Sequence, residues 1–159
     1  MIHAIFACDE NWGIGKNGAL PWPHNSADLQ WFKNCTGNTT VVMGRKTWES
    51  LPVKPLPKRR NLVVSKNEIP GVETRTIEEI ISTCEILSSP VWIIGGAKLL
   101  EHTIGVIDEI WLSRIKGVYD CDTFLPKSLI QEKFEFYERY FDGSLTTEKY
   151  RKIKDETIS

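Results

Sequence analysis

Short apolar runs that alternate with helical patterns constrain this chain more than any other feature. Ile2–Cys8, Thr39–Met43, Asn61–Ser65, Gly71–Arg75, Val91–Ile94 and Ile110–Ile115 each have the length and the apolar or β-branched character of a strand. Ile2–Cys8 is apolar enough for a strand buried on both faces. Between the strands lie helical segments. Asn25 or Ser26 can cap a helix carrying Asp28, Leu29 and Phe32; Arg45–Leu51 fits a short helix after the break at Gly44; Ala97–Thr103 reads as another. The best-signalled helix opens at Thr76, with Glu79 three residues on as a capping box and Ile77, Ile80, Ile81, Cys84 and Leu87 at helical spacing. Such alternation implies a parallel sheet, because parallel neighbours need a crossover and the crossover helices cover the sheet's faces. Phe134–Phe141 and Thr146–Ile153 flank only the turn at Asp142-Gly143, which predicts an antiparallel edge. The predicted fold is α/β: an open, mostly parallel twisted sheet with helices on both faces and an antiparallel C-terminal edge.

At 159 residues, without repeats or linker-like stretches, the chain reads as a single domain over 1–159. A net charge of -1 gives no electrostatic basis for a nucleic-acid or anionic-membrane partner. Cys8, Cys35, Cys84 and Cys121 are far apart and form no C-x-x-C, and the three His are scattered, so no metal site is expected. The cysteines read as reduced thiols of a cytoplasmic protein. The N-terminus lacks a basic n-region and a long apolar run, and no segment approaches a transmembrane length.

In open α/β sheets ligands bind outside the carboxyl ends of the strands. Four unusual stretches fall there. Asp9–Pro23 predicts a long irregular loop with Gly13, Gly15 and Gly18, and its large apolar residues Trp12, Ile14, Leu20 and Trp22 suit a lid better than a passive surface loop. Gly44-Arg45-Lys46-Thr47 and Gly95-Gly96-Ala97-Lys98 each lead from a strand into a helix start, where backbone amides attract phosphate. Ser65-Lys66 adds a hydroxyl and a cation after a third strand. Each alone is ordinary turn chemistry; together they suit an extended polyphosphate such as a dinucleotide. Leu20-Pro21-Trp22-Pro23 is a stiff elbow that runs into the helix carrying Asp28. Asp28 has two readings: Asn25-x-x-Asp28 resembles a capping box, while an acid beside Leu29 and Phe32 suits a flat heterocycle with N–H donors. In Lys58-Arg59-Arg60 the cations are either solvated or include one arginine that grips a carboxylate.

Ile14-Gly15, Leu20-Pro-Trp22, Asp28-Leu-Gln-Trp-Phe32, Met43-Gly-Arg-Lys-Thr-Trp-Glu-Ser50, Pro55-Leu-Pro57, Arg59, Ile94-Gly95-Gly96 and Asp122-Thr123 occur in an order and spacing that resembles dihydrofolate reductase over nearly the whole chain. The resemblance implies NADPH-dependent reduction of 7,8-dihydrofolate to tetrahydrofolate, supplying one-carbon metabolism and thymidylate synthesis, by a cytoplasmic monomer whose partners are small molecules. It implies that Asp28 holds the pterin ring and supports protonation of its ring nitrogen through a water, with Leu20 and Trp22 of the lid beside the reacting centre. It implies apolar substrate walls of Ile5, Ala7, Leu29, Phe32, Leu51, Leu56 and Ile94, with Ser113 near the pterin and Arg59 on the substrate's glutamate carboxylate. For the cofactor it implies that Ala7, Ile14, Gly15 and Leu20 lie at the nicotinamide. Thr47, Gly96, Ala97 and Lys98 match the pyrophosphate cradle and Arg45, Ser65 and Lys66 the adenosine 2′-phosphate site, with Gly44, Lys46, Gly95 and Leu99 as further cofactor-binding positions. A cis Gly95–Gly96 peptide is implied too, as is a hydrogen bond from Asp122 to the closed lid. Leu100 stands where many members have tyrosine, and Ser113 where many have threonine. A sister reductase acting on a pyrimidine of riboflavin synthesis fits less well, given Asp28, Phe32 and Arg59. A folate- or dinucleotide-binding protein without turnover is the alternative of a different class.

Overall fold

The computed structural model of the chain describes residues 1–87 and 89–154. In chain order its elements are β1 (Ile2–Cys8), β2 (Gly13–Gly15), α1 (Ser26–Thr36), β3 (Thr40–Gly44), α2 (Arg45–Ser50), β4 (Arg60–Val64), β5 (Glu73–Arg75), α3 (Ile77–Ile86), β6 (Val91–Gly95), α4 (Ala97–Thr103), β7 (Glu109–Arg114), β8 (Thr123–Phe124), α5 (Lys127–Lys133), β9 (Phe134–Phe141) and β10 (Thr146–Lys152). The main sheet has eight strands in the order β5-β4-β3-β6-β1-β7-β10-β9. All pairs from β5 to β7 are parallel, and β10 is antiparallel to both β7 and β9. The predicted α/β sheet, its parallel body and its antiparallel C-terminal edge are therefore all present.

Period-two alternation sorts the strand residues between two apolar layers. Ile2, Ala4, Phe6 and Cys8 of β1, Val42 of β3, Leu62 of β4, Val91 and Ile93 of β6, and Ile110 and Leu112 of β7 face one layer. There they meet Ile80 and Cys84 of α3, Leu99 and Leu100 of α4 and Ile130 of α5. Their neighbours Ile5, Val41, Met43, Val63 and Trp92 face the other layer with Trp111, covered by Trp31, Phe32 and Cys35 of α1 and Trp48 of α2. Full burial of each Val, Leu, Ile, Phe or Met side chain among them stabilises the fold by about 1.5–3 kcal/mol, so both faces contribute and the sheet is committed to a helix on each side.

Local signals account for the helix starts. Thr76 and Glu79 form the capping box at α3, with both reciprocal bonds present. Asn25, not Ser26, caps α1, its side chain accepting from Asp28 N–H at 2.9 Å. Three elements went unforeseen: β2 and β8, which pair with each other, and α5. The expected irregular loop over Asp9–Pro23 is partly ordered structure. It contains β2, then a tight hairpin in which Lys16 and Ala19 exchange backbone hydrogen bonds of 2.9 and 3.0 Å. Asn17 and Gly18 at its tip both have positive φ, 52° and 79°. That pairing suits a two-residue turn of the primed type, and Asn-Gly was its sequence signal.

Candidate active site

The carboxyl ends of the parallel strands β1, β3, β4, β6 and β7 lie side by side in the sheet and α1 packs on the face beside them, which makes this margin the candidate cleft. The register places Ala7 of β1 opposite Ser113 of β7, and Met43 of β3 opposite Gly95 of β6 after a register shift. Ser113 has the same strand parity as Trp111, so it points to the α1 side of the sheet. Its hydroxyl oxygen is buried and, among the described residues, closes no hydrogen bond. The group it faces is Asp28. Burial raises the Asp28 carboxyl above its ordinary value, and the nearby Ser113 hydroxyl pulls it part of the way back without closing a full hydrogen bond. The capping-box reading of Asp28 is half right. Asn25 accepts from the Asp28 backbone, but among the described residues no bond returns from the Asp28 side chain to Asn25. The carboxylate is thus left for something else.

The apolar wall residues gather in the α1-side layer: Ile5 is buried in it, and Phe32, Leu51, Leu56 and Ile94 are half-buried at its margin. Ala7 is half-buried on β1, while Leu29 stands on the rim of α1, 45% exposed. Arg59 is set at the far end of this wall. Its Nε donates to Thr36 Oγ1 at 2.9 Å, one terminal nitrogen donates to Pro57 O at 3.1 Å, and its guanidinium lies 5.7 Å from the Phe32 ring. Those contacts aim the guanidinium and, among the described residues, leave N–H donors unused, which is the condition for gripping a carboxylate in a fixed geometry. Asn61 was missed in the sequence. Its side chain accepts from Leu56 N–H and donates to Leu56 O and Arg59 O, pinning the 56–59 connection that carries both wall residues.

At the strand ends expected to take the cofactor, a Cβ on Gly44 would lie 3.7 Å from Gly95 O and 3.8 Å from Gly96 N, so the two strand ends nearly touch. The Gly95–Gly96 peptide is cis, and a Cβ on Gly95 would sit 3.2 Å from Thr47 Oγ1. In front of Gly96 a Cβ would meet nothing within 4 Å. The result is an open backbone cradle with a threonine hydroxyl at its side, which fits a pyrophosphate. Ala97 follows at the start of α4, and Lys46 and Lys98 are exposed beside the cradle. Leu99 and Leu100 have their side chains in the core, so neither presents one to the cleft. Ser65 closes a turn with Asn67, accepting from its N–H at 3.2 Å, and Lys66 is exposed next to it. Arg45 is shared with Glu49, 2.9 Å away on the same helix, an i,i+4 pair that the spacing in the sequence already carries.

The lid is tied down at several points. Trp22 is buried and meets Tyr119 edge-on with ring centroids 6.1 Å apart, while Leu20 is 58% exposed. Ile14 and Gly15 lie in β2, whose partner β8 follows Asp122. Asp122 accepts from Asn17 N–H at 2.9 Å and its own N–H donates to Gly15 O at 2.9 Å, as the resemblance implied. The Asn17 N–H, with the Thr123 hydroxyl, holds the Asp122 carboxyl below its ordinary value. A separate cavity of about 570 Å³ lies behind the lid, lined in part by Trp22, Asn25, Tyr119 and Phe141 of the β9–β10 hairpin.

A family model described as dihydrofolate reductase matches residues 1–153. Among curated relatives, the dihydrofolate reductase of Neisseria meningitidis serogroup A is 39% identical over 129 residues, covering 79% of this chain and 78% of that protein. Dihydrofolate reductase type 8 of Escherichia coli is 34% identical over 145 residues, covering 84% of this chain and 85% of that protein. Among solved structures, a dihydrofolate reductase from Enterococcus faecalis complexed with NADP(H) superposes with a TM-score of 0.86 at 30% identity, covering 97% of each chain.

Proposed function

Because the chain belongs to the dihydrofolate reductase family, we propose that the cleft between α1 and the strand ends carries that family's reaction through Asp28. The chain reduces dihydrofolate to tetrahydrofolate with NADPH. The cofactor, when bound, supplies the hydride; the protein's own residues hold, orient and shield the reactants and support the proton.

Asp28 carries the reading. It is a half-buried carboxylate on an apolar wall, with no return bond to its helix cap and a buried hydroxyl opposite. Its oxygens can accept from the amino group and ring N–H of a pterin. Its negative charge then favours a proton on the ring nitrogen beside the carbon that accepts hydride. Ser113 Oγ, which closes no other hydrogen bond among the described residues, can bridge Asp28 and the pterin amino group. Ile5, Ala7, Leu29, Phe32, Leu51, Leu56 and Ile94 shield the rings, and Arg59 grips the glutamate carboxylate at the mouth. The open face at Gly96, with Gly44, Thr47, Gly95, Ala97 and the backbone of Leu99, holds the pyrophosphate. Lys46 and Lys98 add charge there, and Arg45, Ser65 and Lys66 take the 2′-phosphate. Ala7, Ile14 and Gly15 hold the nicotinamide amide, and Leu20 and Trp22 close the lid over it. Among the described residues no helix is long and apolar enough to cross a membrane. We place the protein in the cytoplasm, working as a single-domain monomer. Loss of NADPH absorbance on mixing with dihydrofolate tests the reading; tight binding of both ligands without turnover would replace it with a carrier.

A further inference from the structure

Asp9 lies at the end of β1, just before the lid, and no role above uses it. The residue is fully buried, and among the described residues no cation is paired with its carboxylate; the nearest, Arg114, pairs with Glu148 and reaches only the Asp9 backbone oxygen, at 3.4 Å. Burial alone would push its carboxyl up, but the hydrogen bonds it accepts outweigh burial and hold it below its ordinary value. The two oxygens divide the donors. Oδ1 accepts from Asn11 N–H and Gly13 N–H, both at 2.8 Å, within the root of the lid. Oδ2 accepts from Tyr119 N–H at 2.9 Å and Cys121 Sγ at 3.4 Å, on the loop between β7 and β8. Burial and the adjacent carboxylate push the Cys121 thiol up, so it stays protonated and able to donate. Gly13 shows how tight the junction is: a Cβ there would lie 2.3 Å from Cys121 Sγ and 3.1 Å from Asp9 Oδ1.

We propose that Asp9 is a positioning residue for hydride transfer: its carboxylate locks the root of the lid to the 119–121 loop. It thereby sets where Ile14 and Gly15 stand against the nicotinamide. This rests on the reading that Ile14 and Gly15 meet the cofactor. A buried carboxylate can do this where an amide cannot. An amide has one acceptor oxygen, so Asp9→Asn keeps the turn at Asn11 and Gly13 but turns an N–H₂ group toward Tyr119 N–H. The substitution therefore severs one of the two ties and leaves side-chain shape unchanged. Donors facing donors also leave the half-buried Tyr119 N–H unsatisfied, the costly half of a lost hydrogen bond.

The test is single-turnover hydride transfer and NADPH affinity in folded Asp9→Asn, with the steady-state KM for dihydrofolate as a control. Both hydride transfer and NADPH affinity should fall about tenfold, the size of one charge-assisted hydrogen bond, with dihydrofolate KM changed less than twofold. Wild-type hydride transfer and NADPH affinity, with only a lower Tm, would make Asp9 merely structural and overturn the proposal. If Asp9→Asn does not fold, Cys121→Ala removes a weaker tie to the same oxygen. It should lower both quantities twofold to threefold in parallel, and no change would overturn the proposal. Asp122→Ala separates the two levels. Loss there with no loss in Asp9→Asn rejects the Asp9 role and keeps the lid reading, whereas no loss in either rejects the lid reading itself.

Discussion

Replacing Asp28 by asparagine keeps the shape of the side chain and removes its charge. A positioned acid–base group typically contributes about 10²–10⁴-fold, which at about 1.36 kcal/mol per decade is about 2.7–5.4 kcal/mol of barrier. The structure points to the middle of that range or above. The Asp28 carboxyl is half-buried against apolar side chains, and its shift arises from burial and one hydroxyl, with no cation among the causes to neutralise its field. We expect single-turnover hydride transfer at neutral pH to fall by about 10³-fold. Without the carboxylate, protonation of the ring nitrogen needs more acid, so the mutant rate should climb as pH falls while the wild-type rate levels off sooner. Stability should move the other way. A carboxyl whose pKa is raised on folding favours the folded state only while protonated, and that contribution is lost as pH rises through the folded pKa. The neutral amide escapes the loss, so the Tm of Asp28→Asn at neutral pH should be no lower than wild type. Stopped-flow rates across pH, with thermal melts on the same samples, provide the assay. A near-normal rate at pH 7, or a loss that is the same at every pH, would return Asp28 to the helix-cap reading.

Arg59→Ala should weaken dihydrofolate binding by about 1.5–3 kcal/mol and leave a pterin without the glutamyl tail almost unaffected; equal losses for both, by titration, would mean a general effect. Asp122→Ala removes the acceptor for Asn17 N–H. It should lower hydride transfer and NADPH affinity together, each about tenfold, with normal kinetics and a lower Tm as the contrary result. Wild type should prefer NADPH to NADH in kcat/KM by about a hundredfold or more, a preference that shrinks with Arg45→Ala, again with Lys66→Ala, and with added salt. Because Glu49 already pairs with Arg45, Glu49→Gln should strengthen NADPH binding modestly, by about 0.3–0.5 kcal/mol, as the competing i,i+4 pair is lost.

What could be read in the chain was local or periodic. Thr76 with Glu79, the apolar run at Val91 and the glycine pair after it carry their structure in adjacent residues, and Ala97–Thr103 forms as spaced. The elements that escaped are short or depend on distant partners. β2 and β8 are three and two residues long, too few for a period to register, and exist because each completes the other. The same holds within the site. Asp28 stood out as an acid, but whether it capped its helix or faced a ligand depended on Ser113, and only the β1–β7 register places that hydroxyl beside the cleft. Asp9 and Asn61 looked like ordinary polar residues in loop and strand; both prove to be hubs whose partners converge from separate segments. Chemistry-bearing residue types were legible one by one. Which oxygen meets which donor was not, because that is settled by packing.

The most direct test is the structure of the protein with NADP⁺ and folate bound, read for the distance from the Asp28 carboxylate to the pterin amino nitrogen. A value of about 2.7–2.9 Å is expected for a charge-assisted bond, with Ser113 Oγ in the same network and the 2′-phosphate between Arg45 and Lys66. A pterin lodged instead in the cavity behind the lid, beside Tyr119 and Phe141, or one whose amino group lies beyond hydrogen-bond reach of Asp28, would contradict it.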